Sequence, residues 1–429
     1  MHRAFRLRSI LAAALLAPAA AALAAEPVEP VLAEARQNTQ PLLDTLKDLV
    51  SIESGSDDRE GLDRLSDLIA GKLRALGGEV ELIEPADVYR MGDTPPKVGR
   101  MVRATFKGTG TKKIMLIAHM DTVYRRGMLA KQPFRIDGDK AYGLAISDDK
   151  QGIAVILHTV AMLKSLGFTG YGTLTVLINA DEEVSSPGSR ATITKLGAEH
   201  DATLSFESTR VNSDKLSLAT SGIGGVIIRV HGKASHAGSS PERGINSLVE
   251  LSNQILQTKD LSDPSVGLKM NWTNAKAGTG SHNVIPPEAE AFADVRVNRV
   301  EDYDRIENAV RERMRNQIVK DAKVEMVFER RRPPLVTSDA SRAVAEHAKD
   351  IYHEIGKELV VDTKAEGGGT DAAFAALQTK NAVVERFGLQ GFGGHTGQYE
   401  YILIDSIEPR LYLTTRLVMD LSQAKVRTP

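Results

Sequence analysis

Three consecutive acidic residues stand just after an apolar run near the middle of the sequence. Asp181, Glu182 and Glu183 follow LTVLI (174–178) after only two intervening residues. Neighbouring carboxylates repel one another, so this arrangement costs stability unless a cation or a proton offsets the charge. The triplet therefore predicts a bound cation, whose other ligands must come from elsewhere in the chain.

Four other segments place ligand-type side chains at the ends of apolar runs or in loops. They contain His119 and Asp121 in LIAHMDTV, Asp148 and Asp149 in ISDDKQG, Glu207 in LSFES, and His395 in GFGGHTGQ. Taken singly, each has an ordinary structural explanation, such as a helix N-cap for Asp148. Open α/β sheets, however, gather such residues at the carboxyl ends of their strands, and the combination favours one shared site.

Two imidazoles with several carboxylates and no cysteine suit a divalent ion, zinc first, with manganese or cobalt as substitutes. Two ions would offset the acidic triplet. One of Glu182 and Glu183 would bind metal, and its neighbour would take a proton from a water molecule beside it. The spacing alone leaves open which glutamate does which. A serine hydrolase is excluded by the absence of a G-x-S-x-G motif from the sequence.

The N-terminal sequence MHRAFRLRSILAAALLAPAAAALAAEP predicts a secretory signal peptide over residues 1–24, with arginines before a short apolar run and a small-residue cleavage site. An N-terminal membrane helix is the alternative, disfavoured by the shortness of the run and by Pro18. The exported chain would carry a small negative net charge, which favours neither nucleic acid nor a membrane as a partner. The absence of cysteine excludes disulfides.

Alternating apolar runs predict an α/β fold with a mixed, mostly parallel sheet flanked by helices. A strand followed by a turn is expected over 112–123, further strands at 174–180 and 202–207, and helices at 30–53, 59–76 and 152–167. Between 222 and 331 the order changes to strand, helix, strand, helix, strand. This pattern predicts an inserted α+β domain at 222–331 within a catalytic domain formed by 25–221 and 332–429.

Seven motifs, in order, resemble the di-zinc exopeptidases, the family that includes carboxypeptidase G. They are HMDTV, GLAISDDKQG, NADEEVSSPGS, SFES, GKASHAG, GGGTDAA and GFGGHTGQYEY. The resemblance covers nearly all of the chain after residue 24, the inserted segment included. It implies the di-zinc exopeptidase fold, in which the inserted domain pairs two subunits and closes over the substrate.

The resemblance also implies a role for each ligand-type residue. Asp148 would bridge two zinc ions, with His119 and Glu207 completing one site and Glu183 and His395 completing the other. Glu182 would be the general base, and Asp121 would orient the ring of His119. Asp181 would support the loop. The peptide bond between Asp148 and Asp149 is expected to be cis.

Substrate contacts are implied in the same way. His236, in GKASHAG, would reach the partner subunit's site and stabilise the oxyanion. The residues implied to contact substrate are Asn283, Arg296, Arg332, Lys215, Ser217, Gly368 and Glu366. A polar turn is the alternative explanation for the segment around His236, and solvated surface charge is the alternative for Arg330 and Arg331.

The function implied is that of a metallo-carboxypeptidase that releases a C-terminal amino acid, glutamate first, from N-acyl or peptidyl substrates such as folates. In this family a threonine is expected where this chain has Glu366. That acid would either repel a glutamate side chain or pair with Arg332. The alternatives are an aminoacylase or N-acyl amino acid deacylase, a dipeptidase, and a binding protein without catalytic activity. A periplasmic homodimer is the expected form.

Overall fold

The computed structural model describes residues 26–426. The predicted signal peptide at 1–24 lies outside the described residues. A helix suited to crossing a bilayer is not found between residues 26 and 426.

The central sheet has six strands in the order β1-β2-β6-β3-β7-β15. Strands β6, β3, β7 and β15 pair in parallel, while β2 runs antiparallel to β1 and β6. The seventeen strands of residues 26–426 are β1 (Glu79–Ile83), β2 (Met101–Lys107), β3 (Lys113–His119), β4 (Arg135–Asp137), β5 (Lys140–Tyr142), β6 (Thr173–Asn179), β7 (Ala202–Ser205), β8 (Thr209–Arg210), β9 (Lys215–Ser217), β10 (Gly222–His231), β11 (Lys269–Ala277), β12 (Glu288–Val297), β13 (Lys323–Arg332), β14 (Val360–Asp362), β15 (Ala382–Val384), β16 (Gln390–Phe392) and β17 (Tyr401–Leu403). The predicted mixed α/β sheet is confirmed.

Helices cover both faces of this sheet. The ten α-helices of the described chain are α1 (Glu29–Gln37), α2 (Thr39–Val50), α3 (Arg59–Ala75), α4 (Gln151–Ser165), α5 (Arg190–Glu199), α6 (Ser247–Thr258), α7 (Glu301–Arg313), α8 (Asp339–Glu354), α9 (Ala372–Ala375) and α10 (Ile407–Ser422). Alternate residues of β3 face opposite sides, as strand geometry requires. Leu116 belongs to the core under α4 and α10, whereas Ile117 packs with residues of α5 and α9.

Residues 222–332 form a second sheet with its own apolar core. Its four strands pair antiparallel in the order β11-β12-β10-β13. Val226, Ile228 and Val230 of β10 are buried against side chains of α6 and α7, including Leu251 and Ile306. This is the α+β segment that the sequence predicts, although domain boundaries and subunit pairing remain predictions.

The predicted single helix at 30–53 is wrong, because the chain forms two helices that meet at Asn38. Pro41 has no N–H to donate to the carbonyl of Gln37, so the backbone ladder is interrupted at this point. The strand β11 was not predicted. Its residues are mostly exposed, so they lack the apolar run that identifies a buried strand.

Candidate metal centre

Five side chains converge in two overlapping groups that share Asp148. His119 Nε2 lies 3.2 Å from Asp148 Oδ1 and 3.4 Å from Glu207 Oε1. On the other side, His395 Nε2 lies 3.1 Å from both Asp148 Oδ2 and Glu183 Oε2. The structure therefore brings together the five residues predicted as metal ligands, in the predicted groups of three around Asp148.

The parallel strands explain how distant residues meet. His119 ends β3, Glu207 follows β7, and Glu183 follows β6, all at the carboxyl edge of one sheet. Asp148 lies in the irregular turn Ile146–Lys150 ahead of α4, and its peptide bond to Asp149 is cis. His395 comes from the loop between β16 and β17.

The donor set fits a divalent cation. Two buried donor atoms, His119 Nε2 and Glu183 Oε1, have no hydrogen-bond partner among the described residues. Buried polar atoms are rarely left unpaired, so both are available as metal ligands. Hydrogen bonds that the His395 ring donates to the carboxylates of Asp148 and Glu183 raise its pKa to about 11, which means that these carboxylates attract positive charge strongly. Imidazole and carboxylate donors without thiolate are those of zinc and its neighbours.

The acidic triplet divides into three roles according to where each side chain points. Asp181 turns inward and accepts hydrogen bonds from the N–H groups of Gly188 and Ser189, at 2.6 and 3.1 Å. Glu183 reaches His395 in the second group of ligands. Glu182 lies beside the ligands without joining either group. The positions agree with a structural acid, a metal ligand and a carboxylate that stays outside both groups of ligands.

Asp121 is fully buried and connects three parts of the site. Its Oδ1 accepts the N–H of Glu182 at 2.9 Å and lies 3.4 Å from His119 Nδ1. Its Oδ2 accepts the N–H of Glu183 at 3.1 Å and the hydroxyl of Ser56 at 2.8 Å. The backbone carbonyl of Asp121 lies closer to His119 Nδ1, at 3.1 Å. Asp121 therefore orients the histidine through its carbonyl and its side chain, and orients the backbone of both glutamates through its carboxylate.

Glu182 contacts Arg332, which is itself buried. The guanidinium pairs with the Glu182 carboxylate and donates from Nη2 to the Glu182 carbonyl at 2.7 Å. Burial raises the pKa of Glu182 well above its usual range, and Arg332 acts in the opposite direction. A carboxylate with a raised pKa next to metal ligands can accept and return a proton near neutral pH.

A cleft of about 450 Å³ opens above these side chains. Its walls include four arginines together with Gly368, Phe292 and Asp294. Arg296 pairs with Asp294 through two bonds of 2.9 Å and donates to the carbonyl of Gly367 at 3.1 Å. Of the predicted substrate contacts, Arg332, Arg296 and Gly368 thus line the cleft.

The remaining predicted substrate contacts lie elsewhere within residues 26–426. Lys215 and Ser217 are buried in β9, outside the lining of the cleft. Asn283 and His236 are exposed and lie next to each other, since the carbonyl of Asn283 accepts the N–H of Ala237 at 2.8 Å. His236 Nδ1 accepts the N–H groups of Gly238 and Ser239 at 3.1 Å, so its proton belongs on Nε2.

The suggested pairing of Glu366 with Arg332 is wrong. Glu366 binds Lys215 Nζ at 2.7 Å and Arg210 at 3.1 Å, whereas Arg332 pairs with Glu182. The reason is that Lys215 is buried and needs a nearby anion, which Glu366 supplies together with Asp362 at 3.2 Å.

The alternative of solvated surface charge is also wrong for Arg331. Its side chain is buried at the cleft and pairs with Glu329 at 2.8 Å and with Asp93 at 2.5 Å. Arg330 does remain partly exposed, in ion pairs with Asp304 and Glu307. Alternation along β13 separates Arg330 from Arg331, and a shift of register opposite Ile223 and Gly224 then leaves both Arg331 and Arg332 in the lining of the cleft, which the letters RRR do not reveal.

Glu400 is a functional residue that the sequence reasoning missed. Its buried carboxylate accepts the N–H groups of Ser147 at 2.8 Å and of Ala145 and Asp148 at 3.1 Å, as well as the Tyr124 hydroxyl at 2.7 Å. Burial raises its pKa to about 7. The turn that carries Asp148 is therefore held by a residue some 250 positions later in the chain. The only signal in the sequence was an acid inside the motif QYEY.

A mixed sheet with histidines and carboxylates gathered at its carboxyl edge, and a proton acceptor beside them, is typical of metal-dependent hydrolases. Residues 115–420 match the model of peptidase family M20/M25/M40. The chain is 43% identical to carboxypeptidase G2 of Pseudomonas sp. (strain RS-16) over 426 residues, 99% of each protein. It is 26% identical to the succinyl-diaminopimelate desuccinylase of Stenotrophomonas maltophilia over 62% of this chain and 71% of the relative.

Solved structures agree at the level of the fold. An M20 family metallo-carboxypeptidase from Sulfolobus solfataricus superposes with a TM-score of 0.70 at 16% identity, covering 89% of this chain and 99% of that one. The chain belongs to peptidase family M20/M25/M40. Its predicted family and its class, a metallo-exopeptidase, are thereby confirmed.

Proposed function

We propose that this protein is an exported carboxypeptidase with two zinc ions per subunit, which hydrolyses the amide bond before a C-terminal amino acid, glutamate first. The substrates would be N-acyl or short peptidyl amino acids of the folate type. Cobalt or manganese would be expected to substitute for zinc. The overlap of two ligand groups on Asp148, with Glu182 beside them, carries the proposal. The 43% identity to carboxypeptidase G2 over 99% of the chain supports the proposed carboxypeptidase activity.

Each of the two groups of ligands would hold one metal ion. His119, Asp148 and Glu207 would hold one ion, and Asp148, Glu183 and His395 the other. Metal ions held there would supply a Lewis acid for the scissile carbonyl. They would also lower the pKa of a water molecule, so that it could lose a proton and act as the nucleophile. Asp121 would keep His119 in the tautomer that directs Nε2 to the metal.

Glu182 would perform the proton transfers. Its carboxylate lies in the cleft beside the ligands, and its raised pKa suits a group that first removes a proton from water and then delivers it to the leaving amine. Arg332 would bind the terminal carboxylate of the substrate, because planar guanidinium groups match carboxylates with two parallel hydrogen bonds. Since Arg332 pairs with Glu182 in the free protein, substrate binding would exchange one carboxylate partner for another.

The subunits would pair through the inserted domain. Strand β11 is an edge strand of its sheet, and helix α6 exposes Leu248, Val249 and Leu256, with exposed fractions of 45%, 45% and 62%. Open edges and exposed apolar side chains are typical of association surfaces. Pairing would bring His236 and Asn283 to the partner's cleft, where the Nε2 proton of His236 would stabilise the oxyanion.

Location and substrate remain parts of the same proposal. The predicted signal peptide supports export, with the periplasm as the destination. A deacylase or dipeptidase that releases an amino acid other than glutamate is the second candidate. One observation favours it: Glu366 already neutralises Lys215, which was expected to contact the substrate.

The test uses the mature chain, stripped with a chelator and reloaded with zinc. Release of glutamate from an N-acyl glutamate is measured for the native protein, for Glu182→Gln and for Glu183→Gln. We expect Glu182→Gln to bind two zinc ions without activity and Glu183→Gln to lose one ion. Glutamate release that does not depend on zinc or on Glu182 would refute the mechanism. Zinc-dependent cleavage of other N-acyl amino acids alone would reassign the substrate.

A further inference from the structure

The cleft contains an arginine whose charge is not neutralised. Four arginines line it: Arg296, Arg331, Arg332 and Arg386. The first three form ion pairs with Asp294, with Glu329 and Asp93, and with Glu182. Arg386 has no carboxylate within ion-pair distance among residues 26–426. Its guanidinium makes one hydrogen bond in this part of the chain, from Nη1 to the carbonyl of Ser208 at 2.7 Å.

The backbone holds Arg386 rigidly in an unfavourable conformation. Its φ is +75°, a region that residues other than glycine seldom occupy. The N–H of Arg386 donates to the buried carboxylate of Glu385 at 2.9 Å, and its carbonyl accepts from the buried Arg410 at 2.9 Å. Such strain persists where the surroundings enforce it, most often at ligand sites. The side chain is half-buried, and most of its N–H groups have no partner within residues 26–426.

Arg386 and Arg332 approach different members of the ligand set. Ser208, which accepts the hydrogen bond of Arg386, directly follows the ligand Glu207, while Arg332 contacts Glu182 next to the ligand Glu183. Because both arginines line one cleft, a substrate whose terminal carboxylate binds Arg332 would have Arg386 available for another part of the molecule.

We propose that Arg386 binds a second carboxylate of the substrate, so that the enzyme prefers N-acyl amino acids carrying two negative charges. The inference rests on the proposed function. It assigns the second carboxylate of the substrate to Arg386 rather than to Lys215, whose ammonium group is buried between Glu366 and Asp362. A free guanidinium recognises carboxylate with two parallel hydrogen bonds, whereas a lysine already paired with two acids offers little further attraction. The second carboxylate belongs either to the side chain of the released residue or to the acyl group.

Two pairs of compounds distinguish these sources. N-acetyl-glutamate and N-acetyl-glutamine differ by one charge in the released residue, while N-succinyl-alanine and N-succinamoyl-alanine differ by one charge in the acyl group. The ratio of kcat/KM between the charged and the neutral member is measured for native protein, Arg386→Gln and Arg386→Lys. We expect the native protein to prefer the charged member of one pair by about 10- to 100-fold, as for hydrogen bonds to charged groups.

Arg386→Gln should reduce this preference to about threefold or less, and Arg386→Lys should retain part of it. A preference that Arg386→Gln leaves unchanged, or a native ratio near one in both pairs, would overturn the inference. An equal loss with all four compounds would also overturn it, since that result indicates a purely structural bond to Ser208.

Measurements of substrate binding distinguish the role of Arg386 from the proposed hydrolytic function. Dissociation constants for the same compounds, measured with zinc-loaded Glu182→Gln protein with and without Arg386→Gln, give the same ratio without hydrolysis. If nothing is hydrolysed, the proposed function fails while this ratio still decides the role of Arg386.

Discussion

Replacement of Glu400 by glutamine tests whether the turn around Asp148 is held by this one buried carboxylate. Oε1 accepts three bonds, from Ser147 N, Ser147 Oγ and Asp148 N. Oε2 accepts two, from Ala145 N and the Tyr124 hydroxyl. A glutamine loses least if its nitrogen takes the Oε2 position. The tyrosine hydroxyl can then turn and accept, but the Ala145 N–H is left without an acceptor.

The Ala145 N–H that loses its acceptor determines how much stability the substitution costs. An unsatisfied buried N–H costs about 1–3 kcal/mol. We add nothing for the lost charge, because the burial that raises the pKa of Glu400 to about 7 offsets the stronger bonds of the ionised form. If the turn relaxes to relieve this cost, Asp148 moves and zinc affinity falls by about 10- to 100-fold, the usual effect of losing such a supporting group.

The assay is competition for zinc with a chromophoric chelator, together with thermal unfolding of the metal-free protein. Glu408→Gln is the matched control, since Glu408 forms an exposed ion pair with Arg36 at 3.3 Å, and such pairs contribute little. A folded Glu400→Gln protein whose zinc affinity stays within about threefold of the native value would refute the reasoning.

Three further predictions concern other parts of the chain. Burial lowers the pKa of His158 to about 4 from 6.5. Between these two pH values the unfolded chain binds a proton that the folded protein does not. The free energy of unfolding therefore falls by up to about 1.4 kcal/mol per pH unit as the pH drops from 6.5 to 4. His158→Gln, compared with native protein by thermal unfolding at pH 7 and pH 5, should lose less stability on acidification, and an equal loss would contradict this. Asp181→Ala should lower the free energy of unfolding by about 2–6 kcal/mol, because two backbone N–H groups lose their acceptor, yet keep the native zinc content in elemental analysis. Loss of zinc would show that Asp181 does more than hold the loop. Leu256→Glu should turn a dimer into monomers in analytical ultracentrifugation, and an unchanged sedimentation coefficient would exclude α6 from the interface.

The ligands of the metal centre could be predicted because their residue types and positions carry the chemistry. His119, Glu183 and Glu207 follow apolar strands, and parallel strands end at one edge of a sheet. Asp148 and His395 needed the resemblance, since an acid before a helix or a histidine in a loop has ordinary explanations. The division of the ligands into two groups of three that share Asp148 depends on tertiary geometry, which residue spacing along the sequence does not reveal.

The fold was predictable where apolar periodicity was strong, as in β3, β6 and α4. Prediction failed at the break between α1 and α2 and at β11. In the first case the apolar pattern continues across Asn38, although the hydrogen-bond ladder does not. In the second, the strand is held by pairing with β12 rather than by burial of its own side chains.

Residue types alone indicated that a metal site in this chain would suit a hard or borderline divalent ion, because the chain offers imidazoles and carboxylates and no thiol. They determined neither the division of labour among Asp181, Glu182 and Glu183 nor the partners of the charged residues near the cleft. Those depend on the direction in which each side chain leaves the backbone and on which charges are buried together. The pairs of Lys215 with Glu366 and of Arg332 with Glu182, and the lack of an ion-pair partner for Arg386 within the described chain, are therefore properties of the tertiary structure, where burial makes every unpaired charge costly.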